Sequence, residues 1–203
     1  MNRIVRTAAM ALVALLLAAC ASTTLQSAWF DTTYNGGPFR KIIVVGVGAS
    51  IADRRVFEDI FSRELTAAGT QGVPGYLFLP DDARSNEPGW NAGIAQSGAD
   101  GMLLVRVMGV DTKTQVYTTM MPGPAYFGPY GPWWGPSMMA VPTVQQYAVA
   151  NVETNLFDTR TKRVVWAGTT QTFNPTTVVN ETPGFAKLII PQLAARGLIP
   201  PQK

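Results

Sequence analysis

The sequence predicts an α/β (α+β) fold: a mixed β-sheet of about five strands, in the order βαβαβ-ββ-α, covered by helices. Three observations predict it. A β-branched run, Lys41 to Val47, is followed at once by a helix-periodic stretch over 52–68. Further short apolar runs then alternate with weaker helical patterns, as in parallel crossover units. Two alternating runs joined by the polar turn Asp158-Thr-Arg-Thr-Lys162 close the pattern as an antiparallel hairpin.

The elements follow in chain order. Lys41-Ile-Ile-Val-Val-Gly-Val47 has the near-continuous apolar character of a strand buried on both faces. Residues 52–68 carry Val56, Phe57, Ile60, Phe61, Leu65 and Ala68 at helical spacing, with Arg54, Arg55, Asp59 and Arg63 at other positions. Ser50 or Asp53 supplies the N-cap and Gly69 the stop. Tyr76 to Leu79 is a second strand ended by Pro80. Residues 85–97 form a weaker helix ending near Gly98. Met102 to Val110 is the third strand. Val144 to Phe157 is the fourth, with Ala148, Ala150, Val152, Thr154 and Leu156 on one face. Tyr147, Asn151, Glu153 and Asn155 make its other, polar face. Val164 to Phe173 returns as the hairpin's second strand. The last helix takes Thr182 as cap and Pro183 as first residue, and Gly197 lies past its end. Pro191 inside it removes a backbone donor and predicts a kink.

The chain divides into a leader at 1–19, a flexible tether at 20–38 and one domain at 39–199 that carries a Pro/Gly/aromatic insertion at 120–142. Arg3 and Arg6 precede an uncharged Ala, Leu, Met and Val run. That run is shorter than the ~20 apolar residues that a spanning helix needs and suits a signal peptide. It ends in Leu17-Ala18-Ala19-Cys20. This segment resembles the bacterial lipoprotein signal. The resemblance implies cleavage before Cys20, a diacylglyceryl group on its sulfur and an acyl chain, such as palmitate, on the new amine. Ala21, rather than Asp, implies delivery to the outer membrane, facing the periplasm. The alternative is an ordinary cleaved signal with a chance Cys.

Composition excludes several functions. The 203 residues include no His and one Cys. Histidine triads, His-ligated zinc and intramolecular disulfides are thereby removed. Loss of residues 1–19 takes Arg3 and Arg6 and leaves 14 basic against 13 acidic groups. The basic balance thus belongs largely to the leader and is no nucleic-acid footprint.

The leader, the strand Lys41–Val47, the turn Gly98-Ala99-Asp100-Gly101 leading into Met102-Leu-Leu-Val105, and Asn155-Leu-Phe-Asp-Thr-Arg-Thr-Lys-Arg-Val-Val-Trp166 occur in that order. Together they resemble the bacterial lipoproteins of the DUF4136 type. The chain is more remotely similar to the domains of curli-secretion lipoproteins and of lipoprotein activators of penicillin-binding proteins. The resemblance implies an envelope lipoprotein with no assigned reaction, and it carries no catalytic residue onto this chain.

Candidate sites are few. Gly46-Val-Gly48-Ala-Ser-Ile51 has two glycines of a dinucleotide fingerprint, but Ile51 replaces the third; a tight strand-to-helix turn is the simpler reading. Asp100 is expected to hold backbone amides in its turn. Arg106 and Glu153 would meet as a cross-strand ion pair if their strands are neighbours. The pairs Asp81-Asp82 and Glu58-Asp59 lack calcium-loop spacing and read as solvated surface. No catalytic constellation, metal site or cofactor site is expected. Pro122 to Pro136 contains five Pro, four Gly, five aromatics and no charge. It reads as a spacer, as a loop folded over the domain, or as a contact surface whose residues are Tyr126, Phe127, Tyr130, Trp133 and Trp134.

The function expected is a lipid-anchored, non-enzymatic scaffold or interaction module of the cell envelope. Its partners would be the membrane, through Cys20, and an envelope protein or peptidoglycan, with no nucleic acid. The alternatives are a cell-wall or glycan hydrolase working through Asp100 or Glu153, and a subunit of an outer-membrane assembly or secretion complex.

Overall fold

The computed structural model describes residues 23–48, 50–81, 87–122 and 138–201. The elements are β1 (Thr23–Phe30), β2 (Lys41–Val47), α1 (Ile51–Ala67), β3 (Gln71–Pro74), a 3₁₀ turn (Gly75–Leu77), α2 (Glu87–Ser97), β4 (Gly101–Pro122), β5 (Met138–Asp158), β6 (Arg163–Phe173) and α3 (Val178–Ala195). They form one mixed sheet of six strands in the order β1-β6-β5-β4-β2-β3. β2 is parallel to both β3 and β4, and the other pairings are antiparallel.

Helices cover the two faces unequally. On one face α1 and α3 pack over Ile42, Val44, Leu103, Val105, Leu156 and Trp166. Phe57, Phe61 and Phe185 join the two helices there, with ring centroids 5.6 to 6.1 Å apart. On the opposite face α2 sets Trp90 and Ile94 against Ile43, Val45, Met102 and Leu104. The chain runs from β2 through α1 to β3 on one side of β2, and from β3 through α2 to β4 on the other side, so the two crossovers run in opposite directions and put their helices on opposite faces. Farther along, that second face is polar over β4, β5, β6 and β1. Arg106, Glu153, Asn155 and Gln171 pair with one another or with Asn151 there.

Local chemistry sets the boundaries. Ser50 caps α1 by accepting from the Asp53 amide at 3.1 Å. Gly69 stops α1 with a φ of 95° that a side chain would resist. At Gly168 an added Cβ would run into the Trp166 indole, so glycine lets that ring lie flat in the core.

Four expectations need correction. Residues 23–30 are an edge strand rather than tether: β1 pairs with β6 from Thr23↔Thr172 to Phe30↔Trp166. Its Ser and Thr suit a half-exposed edge as well as a linker, and only the pairing separates the two. The second strand of the parallel part is Gln71–Pro74, and Tyr76 and Leu77 lie in the 3₁₀ turn. Gly72 allows that pairing, since a Cβ there would meet the Ser62 backbone. α3 begins at Val178, capped by Thr177, so Thr182 and Pro183 lie within it. Thr182 instead donates its hydroxyl to the Val178 carbonyl at 2.6 Å. The sheet of about five strands counts six once β1 joins it, and β4 and β5 reach far beyond the expected ends at Val110 and Val144.

Candidate functional site

The anchor and contact residues lie outside the described residues: Cys20, and Tyr126, Phe127, Tyr130, Trp133 and Trp134. So does Asp82. The remaining candidates can be placed.

Asp100 holds backbone amides, as its turn position suggests, but those of the neighbouring strand rather than its own turn. Its carboxylate accepts from the Arg40 amide at 3.0 Å and the Lys41 amide at 2.9 Å. It thus fixes the start of β2 beside the start of β4. Arg106 and Glu153 stand opposite each other on β4 and β5 and pair at 2.6 Å. The Arg106 guanidinium, then the Asn155 amide, hold the Glu153 carboxyl below its ordinary value. Glu153 is thereby kept as a carboxylate, which is unsuited to donating a proton.

The strand-to-helix turn after β2 is a turn, with Gly48 at φ 91°. The amide of Gly46, which a bound phosphate would need, is donated to Glu58 at 3.0 Å.

Glu58 overturns the reading of Glu58-Asp59 as solvated surface. Its side chain is fully buried. One oxygen accepts from Gly46 and from Arg54 Nε at 2.8 Å. The other accepts from the Tyr76 amide at 2.6 Å. Arg54 is buried too and donates Nη1 to Asp81 at 3.1 Å, while Arg55 reaches the same carboxylate at 3.3 Å. Asp81 is therefore paired, not merely solvated. Burying a carboxylate without partners costs several kcal/mol, on the order of 5, so these donors are what permit it. The network ties the end of β2, the first turns of α1 and the 3₁₀ turn together. The signal in the sequence was the i, i+4 spacing of Arg54 and Glu58, with Glu58 beside Phe57 on the apolar stripe.

Two further features were missed. A cavity of about 210 Å³ lies between the first turns of α1 and α3 and the sheet. Phe57, Val105, Val107, Ala150, Val152 and Phe185 line it, with Arg54, Asp53 and Glu181 among its few polar neighbours. From the cavity's sheet side β4 and β5 continue outward as a two-stranded ribbon. β2 leaves β4 at Arg106 and β6 leaves β5 at Val149, while β4 and β5 pair on to Pro122↔Met138. A bulge between Val107 and Gly109 marks the point of departure. The sequence signal for the ribbon was weak, because Thr and Gln alternate with Val and Met in it.

Among the described residues no helix is long and apolar enough to cross a membrane, which says nothing of strands.

A mixed α/β sheet with helices on both faces, polar pairs used for structure and a projecting ribbon define a small α/β domain. Residues 89–197 match the family described as a domain of unknown function, DUF4136, and the chain belongs to that family. The chain is similar to the structure of a PelC L103M dodecamer from Paraburkholderia phytofirmans, at 16% identity and a TM-score of 0.45, covering 83% of this chain and 96% of that one. It is also similar to lipoprotein GNA1162 from Neisseria meningitidis, at 13% identity and a TM-score of 0.36, covering 76% of this chain and 98% of that one. No curated protein matches the chain.

Proposed function

We propose that the protein is a non-enzymatic lipoprotein of the cell envelope, held to the outer membrane through Cys20 and serving there as a contact module. The observation that carries this reading is the leader. Arg3 and Arg6, an uncharged run and Leu17-Ala18-Ala19-Cys20 stand in the order and spacing that lipid attachment needs. More than one acyl chain at that residue makes anchoring stable, since each buried methylene contributes ~0.8 kcal/mol. The position of β1 supports a close attachment. Thr23 already belongs to the sheet, so the reach from Cys20 is set by three residues rather than by a long tether.

Asp100 and Glu153, the candidates for hydrolysis, are engaged by amides and by Arg106, which supports a non-enzymatic role. The proposed contact residues for an envelope protein are Tyr126, Phe127, Tyr130, Trp133 and Trp134. In sequence they fall between Pro122 and Met138, the last described pair of the ribbon.

Two measurements test the reading. Intact mass of the native product should show residue 20 as the N-terminus with acyl groups added. Cys20→Ser should keep its leader and carry no acyl group. An unmodified thiol on the membrane-bound protein overturns the anchor. Replacing the five aromatics with Ser should abolish crosslinking to its envelope partner while circular dichroism is unchanged; undiminished crosslinking removes their contact role.

A further inference from the structure

The ribbon of β4 and β5 has two unlike faces. Directly opposed residues share a face, so the register sorts them. Val110, Val116 and Met120 of β4 lie opposite Ala150, Val144 and Ala140 of β5, and Ala148 shares their face. Thr112, Thr114, Thr118, Gln146 and Pro142 complete that face, which carries no charge. It continues the buried face of the sheet, where Val107, Ala150 and Val152 line the cavity, out past the cover of α1 and α3. Val116 and Val144 stand opposite each other and are 63% and 61% exposed. The other face holds the ribbon's two charges, Asp111 and Lys113, with Gln115, Tyr117, Gln145 and Tyr147, followed toward the far end by Thr119, Met121, Thr143 and Val141. Between Lys113 and Glu153 the chain has no charged residue at all.

The end of the sheet from which the ribbon leaves is the end that bears the N-terminus. Thr23, Thr172, Ala150 and Val110 form one row across β1, β6, β5 and β4. β1 runs from that row toward the opposite end. Cys20 is three residues before Thr23, so covalent geometry keeps it within ~11 Å of the row. Acyl chains at Cys20 would therefore start within ~11 Å of the row that holds the first apolar pair of the ribbon.

We propose that the ribbon enters the lipid bilayer that holds the anchor, with the Val110–Val116–Met120 face against hydrocarbon. This rests on the anchoring reading for its direction. Its chemistry rests on the ribbon alone: one uncharged, largely apolar face, a second face that is polar at Gln115 and Gln145 and uncharged but mixed beyond them, and charges confined to the base. The length also fits. Ten residue steps from Val110 to Met120 at ~3.4 Å give ~34 Å, or ~24 Å along the normal at a tilt near 45°, against an apolar band of ~25 Å. Both outer edges, from Gly109 on β4 and from Tyr147 back to Met138 on β5, have no strand partner among the described residues. Hydrocarbon cannot satisfy those amides and carbonyls. An inserted ribbon therefore stands beside the same ribbon of other copies, β4 edge to β5 edge.

The test uses the full-length protein purified from membranes and reconstituted in vesicles of phosphatidylethanolamine and phosphatidylglycerol. Val116→Cys, Val144→Cys, Gln115→Cys and Gln145→Cys are each labelled with an environment-sensitive fluorophore. These positions are exposed, so the substitutions leave the core intact. Lipids brominated in mid-chain should quench the 116 and 144 labels at least twofold more than the 115 and 145 labels. In nonionic detergent the protein should size as an oligomer. Equal, weak quenching at all four positions overturns the proposal. So does protection of 116 and 144 from aqueous iodide without quenching by brominated lipid, which would show a protein occupant. A single-copy mass in detergent overturns it as well. Intact mass, read on the same samples, separates the two readings. Acylated Cys20 without alternating quenching leaves the anchor and removes the ribbon's insertion. Alternating quenching with a free Cys20 thiol does the reverse.

Discussion

Glu58 places a carboxylate in the interior, where three donors from three elements surround it. Glu58→Ala leaves Arg54 without its nearest counter-charge and two backbone amides without an acceptor. The expected loss is ~3–5 kcal/mol, read as a lower urea midpoint. An unchanged midpoint would mean that water replaces the carboxylate at no cost. Glu153 behaves differently because it is partly solvated. Its folded pKa is depressed by Arg106, so its contribution is present above the ordinary value of 4.5 and is lost as pH falls through the lower folded value. Glu153→Gln should therefore flatten the fall in urea midpoint below pH 4.5, and an unaltered acid slope would refute the linkage. Asp100 and the Arg106–Glu153 pair were legible from turn chemistry and from strand alternation. Glu58 was not, because a charged residue on a helix stripe reads as solvent-facing until its donors are known, and Gly46 and Tyr76 are distant in sequence.

At the level of elements, β2, α1 and the β5–β6 hairpin were readable because their periodicities are undiluted and their caps conventional. β1 was hidden by its composition. Its Thr and Ser residues make edge contacts, such as Thr23 to Thr172 at 2.9 Å and Ser27 to Thr169 at 2.6 Å, which only the paired register reveals. The start of α3 was misplaced because Thr182-Pro183 imitates an N-terminus, while Thr177 holds the actual cap. Deleting residues 23–30 should bare the edge of β6 and uncover Trp166, which lies opposite Phe30. We expect aggregation, seen as light scattering at concentrations where the complete domain stays clear. A deleted form that stays monomeric and melts at the parent temperature would show that β1 is dispensable.

For the whole molecule, the sheet separates two tasks. Its covered portion is held by two apolar clusters, one on each face, and by the Glu58 network. Its uncovered portion extends as a ribbon that adds little to that core. Removing charge from so long a stretch costs solubility, which a domain secured at a surface can tolerate better than one adrift. In the proposed anchoring, the three residue steps from Cys20 to Thr23 hold the Thr23 end of the sheet close to the bilayer. The pole formed by Asp100 and the Thr159–Lys162 turn then looks away from the lipid. Whatever approaches from the aqueous side meets that pole first, where Arg160 and Lys162 offer the leading positive charges.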